Sequence, residues 1–322
     1  MIKENNDINR KVELLIKEQL EGWDLAHKNF GALENAHERI VSLGEHIQVI
    51  LQHNPERIRS TTAKTDIHNI PDESLCFLCQ ANRPVQQLSV PYPGNIEILV
   101  NPYPIFRKHL TIVSKTHTPQ SIRGHFETML SLANDLWSFS VFYNGPACGA
   151  SAPIHFHFQA GDKYYMPVER EFELQDGDVL IQTNNSRLIA LDNYLRKVLV
   201  LRGNNAQELS RIFKQILGVL EKLMPGETEP MLNIICCRAP KEWRTFIFPR
   251  GSHRPSQFFL EGTNQILLSP AAVEMGGVVS CPRAEDFEKL DSKLITDIFR
   301  QVSVSNPLWE SIKTSITQSE WK

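Results

Sequence analysis

The pentapeptide His155-Phe156-His157-Phe158-Gln159 constrains this chain more than any other stretch. Strict alternation places successive side chains on opposite faces of a strand. Phe156 and Phe158 then point into a core, while His155, His157 and Gln159 share the other face. Three polar groups on one side, over two buried aromatics, describe a sheet whose second face is built for chemistry. The loop before it, within Tyr143–Gly161, is made of small residues: Asn144, Gly145, Gly149, Ala150 and Ser151. Its glycines can take positive φ, and successive N–H groups in such a loop can form an anion nest. The sequence therefore sets a phosphate-sized cradle beside an imidazole.

The rest of the chain alternates strand-like and helical runs. Ile8 to Leu25 and Leu33 to Leu43 read as amphipathic helices, and His46 to Leu51 as a strand. Ile96 to Val100 and His109 to His117 read as strands, followed by a helix from about Ile122 to Phe139. That rhythm returns in a strand at Leu195–Gly203, a helix at Ala206–Leu223, and paired strands at Met231–Cys237 and Trp243–Arg250. Ile295–Val304 is apolar and fits strand or helix. The expectation is an α+β fold of two related halves, with antiparallel strands and helices on their outer faces. We divide it into an N-terminal helical cap with a strand and basic loop (1–65), a catalytic half (66–165) and a second, degenerate half (166–322).

Composition narrows the function classes. The 34 basic and 37 acidic side chains give a formal charge of -3, without the basic footprint of a nucleic-acid binder. No run reaches the ~18–20 apolar residues of a membrane span. The polar start, Met1–Arg10, is not followed by an apolar secretory segment, so a cytoplasmic protein is expected. Six cysteines in 322 residues are too sparse for a disulfide scaffold. Cys76-x-x-Cys79 leads into Asn82, Arg83 and Pro84, which suit a turn better than the helix a redox pair opens. Zinc takes four ligands, and Cys2His2 is a familiar set. By spacing, His117 and His155 complete it and leave His157 for chemistry, although His109 or His157 could replace either.

Asn144-Gly145 … Gly149-Ala150-Ser151 … His155-Phe156-His157-Phe158-Gln159 resembles the active-site signature of the histidine-triad (HIT-like) superfamily. The closer likeness is to the branch with galactose-1-phosphate uridylyltransferase, diadenosine tetraphosphate phosphorylase and GDP-L-galactose phosphorylase, where glutamine replaces a third histidine. Asn101-Pro102-Tyr103-Pro104 with His109–His117 resembles the strand before that superfamily's helix. Met231–Ile234, Trp243 and Phe246–Arg250 resemble the second half of the phosphorylases. Phe158 stands where the uridylyltransferases have glycine and is nearer the phosphorylases.

The resemblance implies roles. His157 is the nucleophile, and Cys76, Cys79, His117 and His155 hold a structural zinc, with no organic cofactor. Gln159 bonds phosphate oxygens of the intermediate, and Asn144, Gly149, Ala150 and Ser151 line a phosphate. Arg57, Arg59 and Lys64, upstream of the cysteines, are candidates for substrate phosphates, as is Arg250 from the second half. The chemistry is transfer of a nucleotidyl group through a covalent adduct on His157. The substrate would be a nucleoside-diphosphate-sugar or dinucleoside polyphosphate, with phosphate or a sugar phosphate as acceptor. A homodimer would suit the resemblance; nucleic acid and membrane are not expected partners. Two rivals are a nucleotide hydrolase of the same superfamily and a zinc-stapled nucleotide-binding protein without turnover.

Overall fold

A computed structural model describes residues 7–58, 76–191, 194–226 and 228–319. Arg59 and Lys64 lie outside the described residues. The chain opens with α1 (Ile8–Gly22), whose N-cap Asp7 accepts from the Arg10 N–H at 3.3 Å, and α2 (Asp24–Glu34). Trp23 between them is extended (φ -132°, ψ 102°), so the single helix expected here is broken in two. β1 (His37–Gly44) and β2 (Ile47–His53) follow. The expected helix over Leu33–Leu43 is thus the end of α2 and most of β1. Nearly all of β1 is exposed on both faces, so its sequence lacks the alternation that announces a strand.

The first half contains β3 (Ser89–Tyr92), β4 (Ile96–Val100), β5 (Leu110–Ser114), α3 (Phe126–Asp135), β6 (Phe139–Asn144) and β7 (His157–Asp162). After α4 (Val168–Glu171) come β8 (Asp178–Gln182), β9 (Ser186–Leu191), β10 (Val198–Gly203), α5 (Ala206–Leu223), β11 (Leu232–Arg238) and β12 (Trp243–Pro249). α6 (Ala272–Met275), β13 (Val278–Cys281), α7 (Ala284–Lys289), α8 (Ser292–Val302) and α9 (Asn306–Gln318) complete the chain. Among the described residues no helix is long and apolar enough to cross a membrane.

Ten strands form one antiparallel sheet in the order β3-β4-β5-β7-β6-β11-β12-β10-β9-β8. Read from either outer edge, the order is the same: three consecutive strands, then the fifth, then the fourth. In each half a helix, α3 or α5, joins the third strand to the fourth. The halves meet at β6 and β11, with Phe142 opposite Ile235. The fold is therefore α+β with duplicated halves, as expected, but the two halves share a continuous sheet. In a second sheet, β1-β2-β13, β1 pairs antiparallel with β2, and β13 adds to β2 in parallel.

Both faces of the large sheet are covered. Ile98, Ile112, Phe158, Tyr143, Ile234 and Leu199 pack beneath α1, α2, α3, α5 and α9; Phe126 of α3 stacks on Phe213 of α5 at 3.9 Å. On the opposite face Phe142, Ile235, Phe246 and Val200 pack against the small sheet, α6 and α8. This alternation follows from the two-residue repeat of strands and leaves β7 with Phe158 on the helical side and His157 on the other.

One buried carboxyl on that second side makes stability depend on pH. Glu169 is fully buried, its Oε1 paired with Ser140 Oγ and its Oε2 accepting from the Met166 N–H at 3.3 Å. Burial pushes its carboxyl up to about 7. The folded state then keeps its proton while the unfolded chain, near 4.5, loses it. Stability is full below pH 4.5, falls between about 4.5 and 7, and levels above that, a loss of roughly 3 kcal/mol. Glu169→Gln keeps the shape and a donor toward Ser140. It is expected to flatten that slope in denaturant melts run from pH 4 to 8.

Candidate active site

His157 begins β7 and is 2% exposed. Its Nδ1–H donates to the His155 carbonyl at 2.8 Å, which fixes the tautomer and leaves the lone pair on Nε2. Nε2 is buried and has no hydrogen-bond partner. Burial pushes the imidazolium down to about 4, so the ring is neutral. A buried, neutral, unpartnered nitrogen is costly to leave in a core and is the form a nucleophile needs. Gln120 holds the backbone on which it sits. Its Oε1 accepts the His157 N–H at 2.8 Å, and its Nε2 donates to the carbonyls of Asn144 (2.9 Å) and His157 (3.0 Å). Sequence reasoning missed this buried glutamine; its only signal was a polar residue placed between a strand and a helix.

The loop from β6 to β7 is shaped by contacts with the second half. Gly149 has φ +104°, and a Cβ there would lie 2.5 Å from that of Ala271. The N–H groups of Gly149 and Ser151 have no protein partner among the described residues. Ala150 is buried and its N–H reaches the Gly145 carbonyl at 3.4 Å, whereas Ser151 is exposed. Asn144 Oδ1 accepts from Asn233 Nδ2 (2.9 Å) and from the Ala272 N–H (2.8 Å). Both acceptor positions are filled by the second half, so Asn144 presents its amide NH2 as the remaining group.

The metal set expected from spacing comes together. Cys76, Cys79, His117 and His155 place their four donor atoms within 4.8 Å of one another. Cys76 Sγ lies 3.3 Å from His155 Nδ1, and Cys79 Sγ 3.1 Å from His117 Nδ1. A tetrahedral ion with S and N ligands at ordinary lengths requires S···N edges of ~3.5 Å, so the residues fit a metal. The outer contacts fit as well. His155 Nε2 lies 2.8 Å from the Ser114 carbonyl, a contact that requires the proton on Nε2 and frees Nδ1 as a ligand. His109, open by spacing as an alternative ligand, is placed elsewhere, beside Gln159.

The two basic candidates among the described residues, Arg57 and Arg250, sit in different surroundings. Arg57 is half-buried, with Nε 3.1 Å from Ser280 Oγ and Nη1 on the Tyr103 carbonyl. Arg250, expected at a substrate phosphate, is fully buried, and protein oxygens take all five of its donors. Nε donates to Val302 O, Nη1 to Asn233 Oδ1 and Pro270 O, and Nη2 to Ser252 O and His253 O. Its reach toward the site is indirect: it holds Asn233, which holds Asn144. Sequence could not show this, since a terminal arginine on a strand reads the same whether its fork meets phosphate or carbonyls. Arg250→Met should cost about 3–5 kcal/mol by orphaning those acceptors. Arg250→Lys should recover little, for want of the planar fork; thermal melts of both variants check this.

Two family profiles cover most of the chain. One, described as a domain of unknown function (DUF4922), matches residues 15–162; the other, "GDPGP1-like, C-terminal domain", matches residues 171–320. GDP-L-galactose phosphorylase 2 of Arabidopsis thaliana is 27% identical over 231 residues, which are 68% of this chain and 50% of that protein. The chain thus spans about half the length of that relative. Among solved structures, yeast Ap4A phosphorylase Apa2 superposes with a TM-score of 0.62 at 18% identity, over 94% of this chain and 95% of that one. Its complex with Ap4A gives 0.60 at 15% identity, over 91% and 97%. Likeness at these identities establishes the fold. The chain shares the fold of that Ap4A phosphorylase and is similar in sequence to GDP-L-galactose phosphorylase 2, in line with the resemblance to the HIT-like superfamily read from its motifs.

Proposed function

We propose that this protein is a nucleotidyl-transferring phosphorylase that works through a covalent adduct on His157. The observation that carries the reading is the state of that ring: Nδ1–H tied to the His155 carbonyl, Nε2 buried and without a partner. In the first step Nε2 forms a bond to the α-phosphorus, and the bond to the bridging oxygen breaks. The leaving sugar phosphate or nucleotide departs with the electron pair. In the second step inorganic phosphate or a sugar phosphate attacks, and the P–N bond breaks with its electrons returning to the ring. The negative charge on the equatorial oxygens is met by the Gly149 and Ser151 N–H groups and the amides of Asn144 and Gln159. Ala150 supplies the tight loop between the two N–H groups.

Gln159 decides between transfer and hydrolysis. An amide holds phosphate oxygens but cannot give or take a proton in the reaction. Leaving groups and acceptors that are already anionic do not need one, and this favours phosphate over water. Zinc is the metal we assign to the Cys76, Cys79, His117 and His155 donors. With four protein ligands there is no open position, so its role is structural. When bound it would fix His155, whose carbonyl orients the nucleophile.

A panel of nucleoside-diphosphate-sugars and dinucleoside polyphosphates, incubated with and without inorganic phosphate, tests the reading. Nucleoside diphosphate formed only when phosphate is present is the expected product. Nucleoside monophosphate formed at the same rate in its absence would identify a hydrolase instead.

A further inference from the structure

Which end of the Gln159 amide faces the site decides whether it helps or repels a phosphate oxygen. The backbone settles the choice, because a backbone N–H can only donate. The Ile105 N–H points at His109 Nδ1 (3.1 Å), so Nδ1 carries the lone pair and Nε2 the proton. That Nε2–H then donates to Gln159 Oε1 at 3.1 Å. Independently, the Tyr103 N–H donates to Asn101 Oδ1 (2.9 Å), so Asn101 must turn its NH2 the other way, where it meets the same Gln159 Oε1 at 3.3 Å. Two chains of fixed polarity converge on one oxygen and fill both of its acceptor positions. Gln159 Nε2 has no protein partner among the described residues. It lies two residues along β7 from His157, on the same face.

We propose that His109 is a positioning residue: it holds the carbonyl end of Gln159 so that the amide NH2 is aimed, before substrate arrives, at the phosphate attacked by His157. The inference rests on the nucleotidyl-transfer reading above. His109 is 1% exposed, and its ring is gripped by Phe106 (centroids 5.3 Å, edge-on) and Phe142 (6.0 Å). Gly161 permits that grip, since a Cβ there would strike the Phe106 ring at 2.4 Å. The ring stays neutral, with burial foremost and the Arg57 guanidinium adding to it, at about 3. A neutral, single-tautomer imidazole is a donor of fixed direction. Donors set in advance contribute more to a transition state than donors that must turn to meet it.

Two measurements test this. In the substrate-free protein, 15N NMR of the histidines should show His109 protonated at Nε2 alone; an Nδ1–H tautomer would overturn the proposal whether or not the enzyme turns over. In kinetics, His109→Phe keeps the ring volume and removes the donor. It should lower kcat ~5- to 30-fold, the worth of one neutral hydrogen bond and its polarity, with KM changed less. Gln159→Ala should lower kcat on the order of 10²–10³-fold. Adding His109→Phe to Gln159→Ala should then cost almost nothing more. Equal losses in both backgrounds, or none in the single variant, would show that His109 does not act through Gln159. Absence of any adduct on wild-type His157 would strike the transfer reading instead, leaving the amide's orientation to the spectrum.

Discussion

In a His157→Gly protein no nucleotidyl adduct forms, and turnover falls on the order of 10⁴–10⁶-fold, the range found when a covalent nucleophile is removed. The step has no local substitute. Gln159 cannot attack phosphorus, and His155 turns Nδ1 to the cysteines and Nε2 to the Ser114 carbonyl. His109 engages both of its nitrogens, one with the Ile105 N–H and one with Gln159. Among the described residues of β12 there is no histidine to act from the second half. Intact-mass analysis after brief exposure to substrate is the direct check. Wild type should gain the mass of one nucleotidyl group, localised to the peptide holding His157. A gain of that mass in the glycine variant would refute the assignment. Because Gln120 holds the backbone at 157 whatever its side chain, the variant should still bind nucleotide, which separates lost chemistry from lost structure.

The second large effect is expected from stripping the Cys76, Cys79, His117 and His155 site. Metal assay of protein grown without supplementation should find about one zinc per chain, and Cys76→Ser should abolish it. Chelation should lower activity about 10- to 100-fold, the usual consequence of loosening an outer-shell support. The route is a single residue: His155 would bind through its ring, and it holds His157 Nδ1–H through its carbonyl. The two large hydrophobic clusters do not include the metal ligands. Far-UV circular dichroism should therefore change little, while the melting temperature drops. Activity that survives full removal of the metal would uncouple the two histidines.

Much of this site was legible before any coordinates. Alternation at 155–159 placed the two phenylalanines in the core and the histidines on the other face, although the strand itself begins only at His157. Donor chemistry and spacing brought four distant residues to one centre. What stayed hidden were residues whose meaning lies in a partner. Gln120, Asn233 and His109 are ordinary polar residues until their neighbours are known. Arg250 shows the reverse, a charge that suggested a phosphate and is enclosed by carbonyls. Helices read well where one face is buried, as in α5, whose expected span Ala206–Leu223 is the span found. The continuity of the large sheet could not be read, because pairing between β6 and β11 is set by surfaces 89 residues apart at Asn144 and Asn233.

The seam between those two strands makes the halves inseparable, although the family profiles part at residues 162 and 171. An excised N-terminal fragment would bare β6 as an open edge, with unpaired amides inviting promiscuous association. It would also lose the tethers that fix Asn144 and the Cys148 carbonyl. The two halves therefore form one folding unit, and the proposed nucleophile lies beside a loop that the second half holds in place.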